Sequence, residues 1–292
     1  MSKYVIFTDT NCDLPVELAD QLQLVTTPMK VIINGKTYEN YLDYRQLSVK
    51  DFYKMMDEGV TATTTQQNPE DYVAALTPIL AAGNDVLNIV FSSGLSGTFN
   101  SARLAADELR ETFPERQIEI IDSKAASLGQ GILVYLAALK KQSGASLTEV
   151  MEYTKSLVPH LGQWFTVNDL HHLKRGGRIS AFAATVGTML KFKPILSVDT
   201  DGKLASRHKE RGRGRAISAL VAQMVKEAKP GIQEVVAIAH GNCLEDALEL
   251  EKQVRAKFEV KKLIINPVGP VIGSHTGQGI LGLLYLTDKP NE

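Results

Sequence analysis

Cysteine is scarce in this chain: Cys12 and Cys243 are the two among 292 residues, far apart and without a C-x-x-C spacing. That excludes a disulfide framework and a thiolate zinc site. Net charge is also lacking, since 32 Lys and Arg stand against 33 Asp and Glu for a formal total of −1. A globally basic nucleic-acid binder is excluded, and no nucleic-acid partner is expected. No apolar run approaches the ~18 residues a bilayer span requires, and the stretch Met1–Asp9 is too short for a secretory signal. The expectation is a soluble, cytoplasmic protein without stable membrane insertion. Metal ligands are missing as a pattern: His171 and His172 are neighbours facing different directions, with no third ligand in view. Neither a metal nor a cofactor is expected.

What is present is ordinary globular material, 44% hydrophobic and 22% charged, in a length that exceeds one average domain. The first half alternates strand-like and helix-like segments. Tyr4–Thr8 reads as the first strand, and Val86–Phe91 and Ile118–Ile121 are short, nearly continuous apolar runs, each followed by a loop and a helical pattern, as buried parallel strands require. Val25–Ile33 ends in an Asn34-Gly35 hairpin turn, and Ser48, Asn68 and Ser146 open capped helices. Pro159-His160-Leu161-Gly162 marks a division. The spacing therefore predicts an α/β protein of two domains: a doubly wound, mostly parallel sheet over 1–158 and a mixed α/β layer over 159–292. In the second half, Asp199-Thr200-Asp201-Gly202 predicts one tight hairpin turn, and helices are expected at Ile179–Leu190, Ala216–Lys229 and Leu244–Phe258.

Three loops carry the chemistry. Ser92-Ser93-Gly94-Leu95-Ser96-Gly97-Thr98 sets four hydroxyls and two glycines at a strand-to-helix turn, more than an N-cap needs and suited to holding an anion. Arg175-Gly176-Gly177-Arg178 offers forked donors for a carboxylate or phosphate, or a solvated turn with a glycine C-cap. His275 lies in a glycine-rich loop, Gly269 to Gly277. The threonine loop Thr61-Ala62-Thr63-Thr64-Thr65-Gln66 reads equally as one wall of a site or as solvated turn. Asp9 ends the first strand, where open α/β sheets place their ligand crevice; it either orients a hydroxyl loop or caps the next turn.

These segments together resemble the DegV family of bacterial fatty-acid-binding proteins, the lipid-carrier subunit of the fatty acid kinase system. The resemblance covers nearly the whole chain. It rests on Phe7 to Pro15, the threonine loop running into Pro69-Glu70-Asp71-Tyr72, Ser92–Thr98, Leu173 to Ser180, Lys193-Pro194-Ile195-Leu196 and Gly269 to Gly277. It implies a fatty acid in an apolar tunnel, with its carboxylate near the domain junction. By motif position Thr64 and Ser96 would bind the carboxylate directly, Ser93 would lie close by, and Arg178 and His275 would complete the polar cluster. Two departures stand out: Gln67 where the family has proline, and Gln278 within Gly277-Gln278-Gly279, where the family also has proline. Both would loosen loops and alter which acyl chain fits.

The resemblance further implies a binding subunit rather than an enzyme, with no catalytic residue of its own, that presents a long-chain fatty acid to a separate fatty acid kinase for acyl phosphate formation. Arg207, Arg211 and Arg213 lie in a basic stretch, Lys203 to Arg215, that reads either as a solvated positive face or as the candidate face for that partner. Two other readings compete. A lipid-ester serine hydrolase would use His275 with one of the serines, though Gly94-Leu95-Ser96-Gly97-Thr98 does not spell Gly-x-Ser-x-Gly. A small-anion or nucleotide-binding regulator would use Arg211 to Arg215, which lacks a Walker loop's spacing and lysine.

Overall fold

The computed structural model describes residues 3–168, 170–179 and 191–291. The helix expected over Ile179–Leu190 falls, beyond its first residue, outside the described residues.

In chain order the first half comprises β1 (Tyr4–Asp9), α1 (Val16–Gln21), β2 (Val25–Thr27), β3 (Met29–Ile33), β4 (Lys36–Asn40) and α2 (Val49–Asp57). It continues through β5 (Ala62–Thr65), α3 (Pro69–Ala81), β6 (Asp85–Val90), α4 (Thr98–Thr112), β7 (Ile118–Asp122), α5 (Leu128–Gln142) and α6 (Leu147–Leu157). The second half holds β8 (Leu161–Thr166), α7 (His171–Arg175), β9 (Phe192–Val198), β10 (Leu204–Arg211) and α8 (Arg213–Glu227). Then follow β11 (Gln233–His240), α9 (Leu244–Arg255), β12 (Val260–Pro267), α10 (Pro270–Thr276) and β13 (Leu281–Leu286).

Three sheets result among the described residues. Sheet A, ordered β2-β1-β6-β7, is wholly parallel, and its strand order reverses direction between β1 and β6. In an open α/β sheet that reversal opens a crevice at the carboxyl ends, so Asp9 and the Ser92–Thr98 loop face the same gap. Sheet C, ordered β10-β9-β8-β13-β11-β12, is antiparallel apart from the β11–β12 pair. The α/β class and the mostly parallel first sheet agree with the sequence reading.

Sheet B, ordered β4-β3-β5 and antiparallel, corrects one expectation. The threonine segment is a strand, not a loop. Threonine is β-branched and favours extended backbone, and alternation turns Ala62 inward and Thr63 outward. The Asn34-Gly35 turn joins β3 to β4 with both residues at positive φ, 50° and 76°, as a type I′ hairpin demands. Asn68 and Ser146 form capping boxes with Asp71 and Glu149.

Helix α5 explains how the sheets meet. Residues 128–134 and 136–138 of it are buried on every side, the signature of a helix enclosed by protein. One continuous apolar cluster runs from Leu87 and Ile89 of β6, through Ile132 and Leu133, to Ala237 and Leu284 of sheet C. Residue 158 separates the strands of sheets A and B from those of sheet C, yet this core crosses that position. The segment expected to divide the chain is a short 3-10 turn, Val158–His160, held by bonds from Thr287 N to the His160 carbonyl (2.7 Å) and from Asn291 N to the Pro159 carbonyl (2.7 Å).

Candidate functional site

An apolar cavity of about 110 Å³ lies between the carboxyl edge of sheet A and one face of sheet C. Sheet C supplies Phe165, Val198, Leu204, Ala239, Gly282 and Leu284, while Met29 comes from β3 and Val271 and Ile272 from α10. Its polar wall gathers Thr64, Ser96, Arg178 and His275. These four candidates come from separate segments.

Thr64 sits on β5 opposite Val31, and its Oγ1 lies 2.8 Å from His275 Nε2. His275 belongs to α10, a correction to the expected glycine-rich loop. Gly269 is its N-cap and Pro270 its first residue, and it stops at Gly277, where φ is +76°. Burial pushes the imidazole down to about 4, helped by the positive charges of Arg178 and Arg175, so His275 is neutral at pH 7. Among the described residues its buried Nδ1 has no hydrogen-bond partner. Gly176 packs against it so closely that a β-carbon there would collide with Nδ1.

Arg178 is held by bonds from Nε to the Leu95 carbonyl (3.2 Å) and from Nη1 to the Gly176 carbonyl (2.5 Å). Half-burial lowers its pKa, without threatening the charge of a guanidinium. It is the one formally charged side chain on the cavity wall among the described residues. Ser96 accepts from Thr98 N (3.2 Å) and meets Thr98 Oγ1 at 2.8 Å.

Ser93 is set apart. It is exposed, takes a bond from Lys124 Nζ (3.0 Å), and donates its N–H to Asp122 (3.1 Å), and it is not on the cavity wall. The loop's first serine serves the frame instead, since Ser92 Oγ donates to the Gly202 carbonyl (2.7 Å). The β9–β10 turn thereby closes over the hydroxyl loop. The turn itself is the tight hairpin expected at Asp199–Gly202.

Asp9 does both things the sequence allowed. One carboxylate oxygen accepts from Asn11 N and caps the turn after β1; the other accepts from Phe91 N (2.9 Å) and Gln130 Nε2 (3.0 Å), fixing the start of the hydroxyl loop. Asp13 is equally buried, bonded by Ser127 Oγ and Gly269 N, and desolvation raises its carboxyl to about 7. Asn11, Ser127 and Gln163 also reach the cavity wall. Sequence reasoning missed these three, because each owes its place to the long-range meeting of β1, α5 and β8.

Neither glutamine departure reaches the cavity. Gln67 is buried and bonded to Thr27 Oγ1 (2.6 Å), so it stitches the end of β5 to sheet A's edge, and Gln278 offers its carbonyl to Asn168 Nδ2 (3.1 Å). Among the basic residues, Arg207 is exposed with its Nε on Ser197 Oγ (2.7 Å), and Arg211 is exposed. Arg213 is a strut rather than open surface: it pairs with Asp246 at 2.9 Å and ties α8 to α9.

A hydrolytic triad would need an acid on His275 Nδ1. Gly176 occupies that side, and Nε2 meets a threonine. Among the described residues no group of three or more His, Cys, Asp or Glu is placed to hold a metal, and no helix is long and apolar enough to cross a membrane.

Fold and site together define a class: an α/β protein enclosing an apolar cavity whose described lining includes alcohols, one arginine and a neutral imidazole. The chain belongs to the DegV family, whose model, described as "Uncharacterised protein, DegV family", matches residues 3–288. It is 39% identical over 288 residues to a DegV domain-containing protein of Clostridium perfringens, covering 99% of both chains. Among solved structures it is similar to a Thermus thermophilus DegV family protein described for fatty acid binding, with a TM-score of 0.87 and 29% identity over 98% of this chain and 99% of that one. It is also similar to DegV of Bacillus subtilis, described as a fatty acid binding protein, with a TM-score of 0.83 and 30% identity over 99% and 100%.

Proposed function

We propose that this chain binds one long-chain fatty acid in the cavity, with the carboxylate received by Thr64 and Ser96 and with Arg178 and His275 completing the polar cluster around it. The observation that carries the reading is a mainly apolar cavity whose lining includes Thr64, Ser96 and His275 together with, among the described residues, a single formally charged side chain, Arg178. A carboxylate withdrawn from water requires charge-assisted hydrogen bonds, and those groups supply them. The tail contributes more. Each buried methylene contributes ~0.8 kcal/mol, so ten of them would give on the order of 8 kcal/mol before ordering costs. The fatty acids bound by its solved relatives support the same ligand class.

The finer part of the proposal is that the loaded protein acts in the cytoplasm as a carrier, presenting the carboxylate to a separate fatty acid kinase that brings ATP and metal. Family resemblance supports this, and Arg207 and Arg211 offer the open basic face for docking. Residues 1–158 and 159–292 are proposed as the two domains, with the lipid at their junction.

Native mass spectrometry of freshly purified protein tests the ligand directly. Thr64→Ala with Ser96→Ala should release the lipid by tenfold or more, each lost bond to a charged head being worth ~1.5–3 kcal/mol. Wild-type retention by that double variant removes both residues from the head-group site. Arg207→Glu with Arg211→Glu should slow phosphorylation by the kinase while lipid retention stays intact; unchanged phosphorylation rejects that docking face.

A further inference from the structure

We infer that Thr98 and His275 are positioning residues which fix the hydroxyl hydrogens of Ser96 and Thr64 so that both alcohols donate into the cavity. The inference rests on the carboxylate site proposed above and says how it is made selective for an acceptor.

The Thr98 half follows from counting donors. Thr98 is fully buried, and among the described residues its hydroxyl meets only Ser96 Oγ, at 2.8 Å. Were Ser96 the donor in that pair, the Thr98 hydrogen would be stranded in a dry place, which is the costly arrangement. Thr98 therefore donates. Ser96 Oγ also accepts from Thr98 N at 3.2 Å, so both its lone pairs are engaged. Its own hydrogen is left to point at the cavity it lines.

His275 works through its tautomer. A neutral imidazole carries one N–H, and the neighbouring guanidinium groups of Arg178 and Arg175 oppose a second proton. If the hydrogen sat on Nδ1 it would be a buried donor aimed at the α-carbon of Gly176, with no acceptor. Orphaned donors are rarer than orphaned acceptors in protein interiors. The hydrogen thus belongs on Nε2 and is donated to Thr64 Oγ1 at 2.8 Å. Thr64, having accepted, turns its hydrogen toward the ligand. Gly176 sets the tautomer simply by lacking a side chain.

Two relays converge on one point, Thr98 to Ser96 and His275 to Thr64. Ser96 Oγ then has both lone pairs engaged and Thr64 Oγ1 has one. Both alcohols consequently direct a hydrogen at the head group, an arrangement matched to an ionised acid.

Nitrogen-15 NMR of the imidazoles in lipid-free protein, assigned with a His275→Gln control, tests the tautomer whether or not any lipid binds. The expected signal is a protonated Nε2 and a bare Nδ1; a protonated Nδ1 overturns the His275 relay. Oleate titration of delipidated protein tests the rest, with thermal melting as the fold control. Thr98→Val should weaken oleate about tenfold, Thr98→Ser should restore it, and His275→Gln, which keeps an N–H donor, should bind far better than His275→Leu. Wild-type affinity in folded Thr98→Val overturns the Thr98 relay. Failure of the wild type itself to bind oleate would refute the ligand proposal, while the NMR result would still decide the tautomer.

Discussion

Gly282→Val offers a way to measure the ligand's depth from the protein side. Gly282 lies on β13, paired with Phe165 of β8 on one side and Ala239 of β11 on the other, and all three face the cavity. A β-carbon built there meets Leu284 Cδ2 at 3.5 Å, Phe165 Cβ at 3.7 Å and Ala239 Cβ at 3.8 Å, ordinary contacts that require no neighbour to move. Valine suits a strand, so folding stability should change by less than about 1 kcal/mol. Its three carbons would take the place of about three methylenes of a ligand that fills the cavity. At ~0.8 kcal/mol each, the longest acids should lose about 2–3 kcal/mol, roughly fiftyfold in affinity. Acids shorter by three or four carbons should bind as before. Competition among a series of saturated acids, read by native mass spectrometry, gives the whole profile from one sample. An unaltered preference in a folded Gly282→Val protein would mean that the tail does not run past β13, and the placement of the chain against sheet C would be wrong.

Other perturbations test the frame around the site. Because the folded state keeps Asp13 protonated up to about pH 7 while the unfolded chain loses that proton near 3.8, stability should fall as pH rises between those values. Asp13→Asn should therefore stabilise the protein by about 2–4 kcal/mol at pH 8 and by little at pH 4, as judged by denaturant titration; an equal effect at both pH values contradicts the buried carboxyl. His275 acts in the opposite direction. Folding depresses its pKa from 6.5 to about 4, so the wild type should lose about 3 kcal/mol as pH falls through that window, and His275→Gln should lose correspondingly less. Gly94→Ala should lower the melting temperature, since its β-carbon would lie 2.6 Å from the backbone of Asp201 and Gly202 and overpacking costs ~1–3 kcal/mol; an unchanged melting temperature would mean that the β9–β10 turn is not seated on the hydroxyl loop.

How much of this was legible depended on whether the information was local. Asn34-Gly35, the Asn68 and Ser146 caps and the strand-to-helix turn after β6 are written in neighbouring residues, and all appear where expected. The threonine strand carried its own signal in four consecutive residues of Ala and Thr, but a run without large apolar side chains reads as polar loop until β3 pairs with it. Helix α10 was harder still. Its glycines argue against a helix by propensity, and Gly273 is required there only because a β-carbon would strike Phe52 and Tyr53 at 2.7 and 2.8 Å. Asn11, Ser127 and Gln163 bear no local mark at all, since three distant elements bring them to one wall.

The charge balance of the mouth explains why it is built mainly from neutral groups. A fatty acid head brings one negative charge, and Arg178 is the one formal positive charge on the wall among the described residues. A protonated His275 would add a second cation in a half-dry place, with nothing to compensate it before the ligand arrives, and burying unpaired charge is expensive. Keeping the imidazole neutral avoids that cost in the empty protein and lets the alcohols supply the remaining hydrogen bonds without adding charge. The same arithmetic disfavours a dianion, whose second charge would meet only hydroxyl dipoles. In the proposed site, one arginine, two oriented alcohols and an apolar wall thus suit a monoanionic head on a long hydrocarbon tail, and the polar groups come from separate segments of the chain.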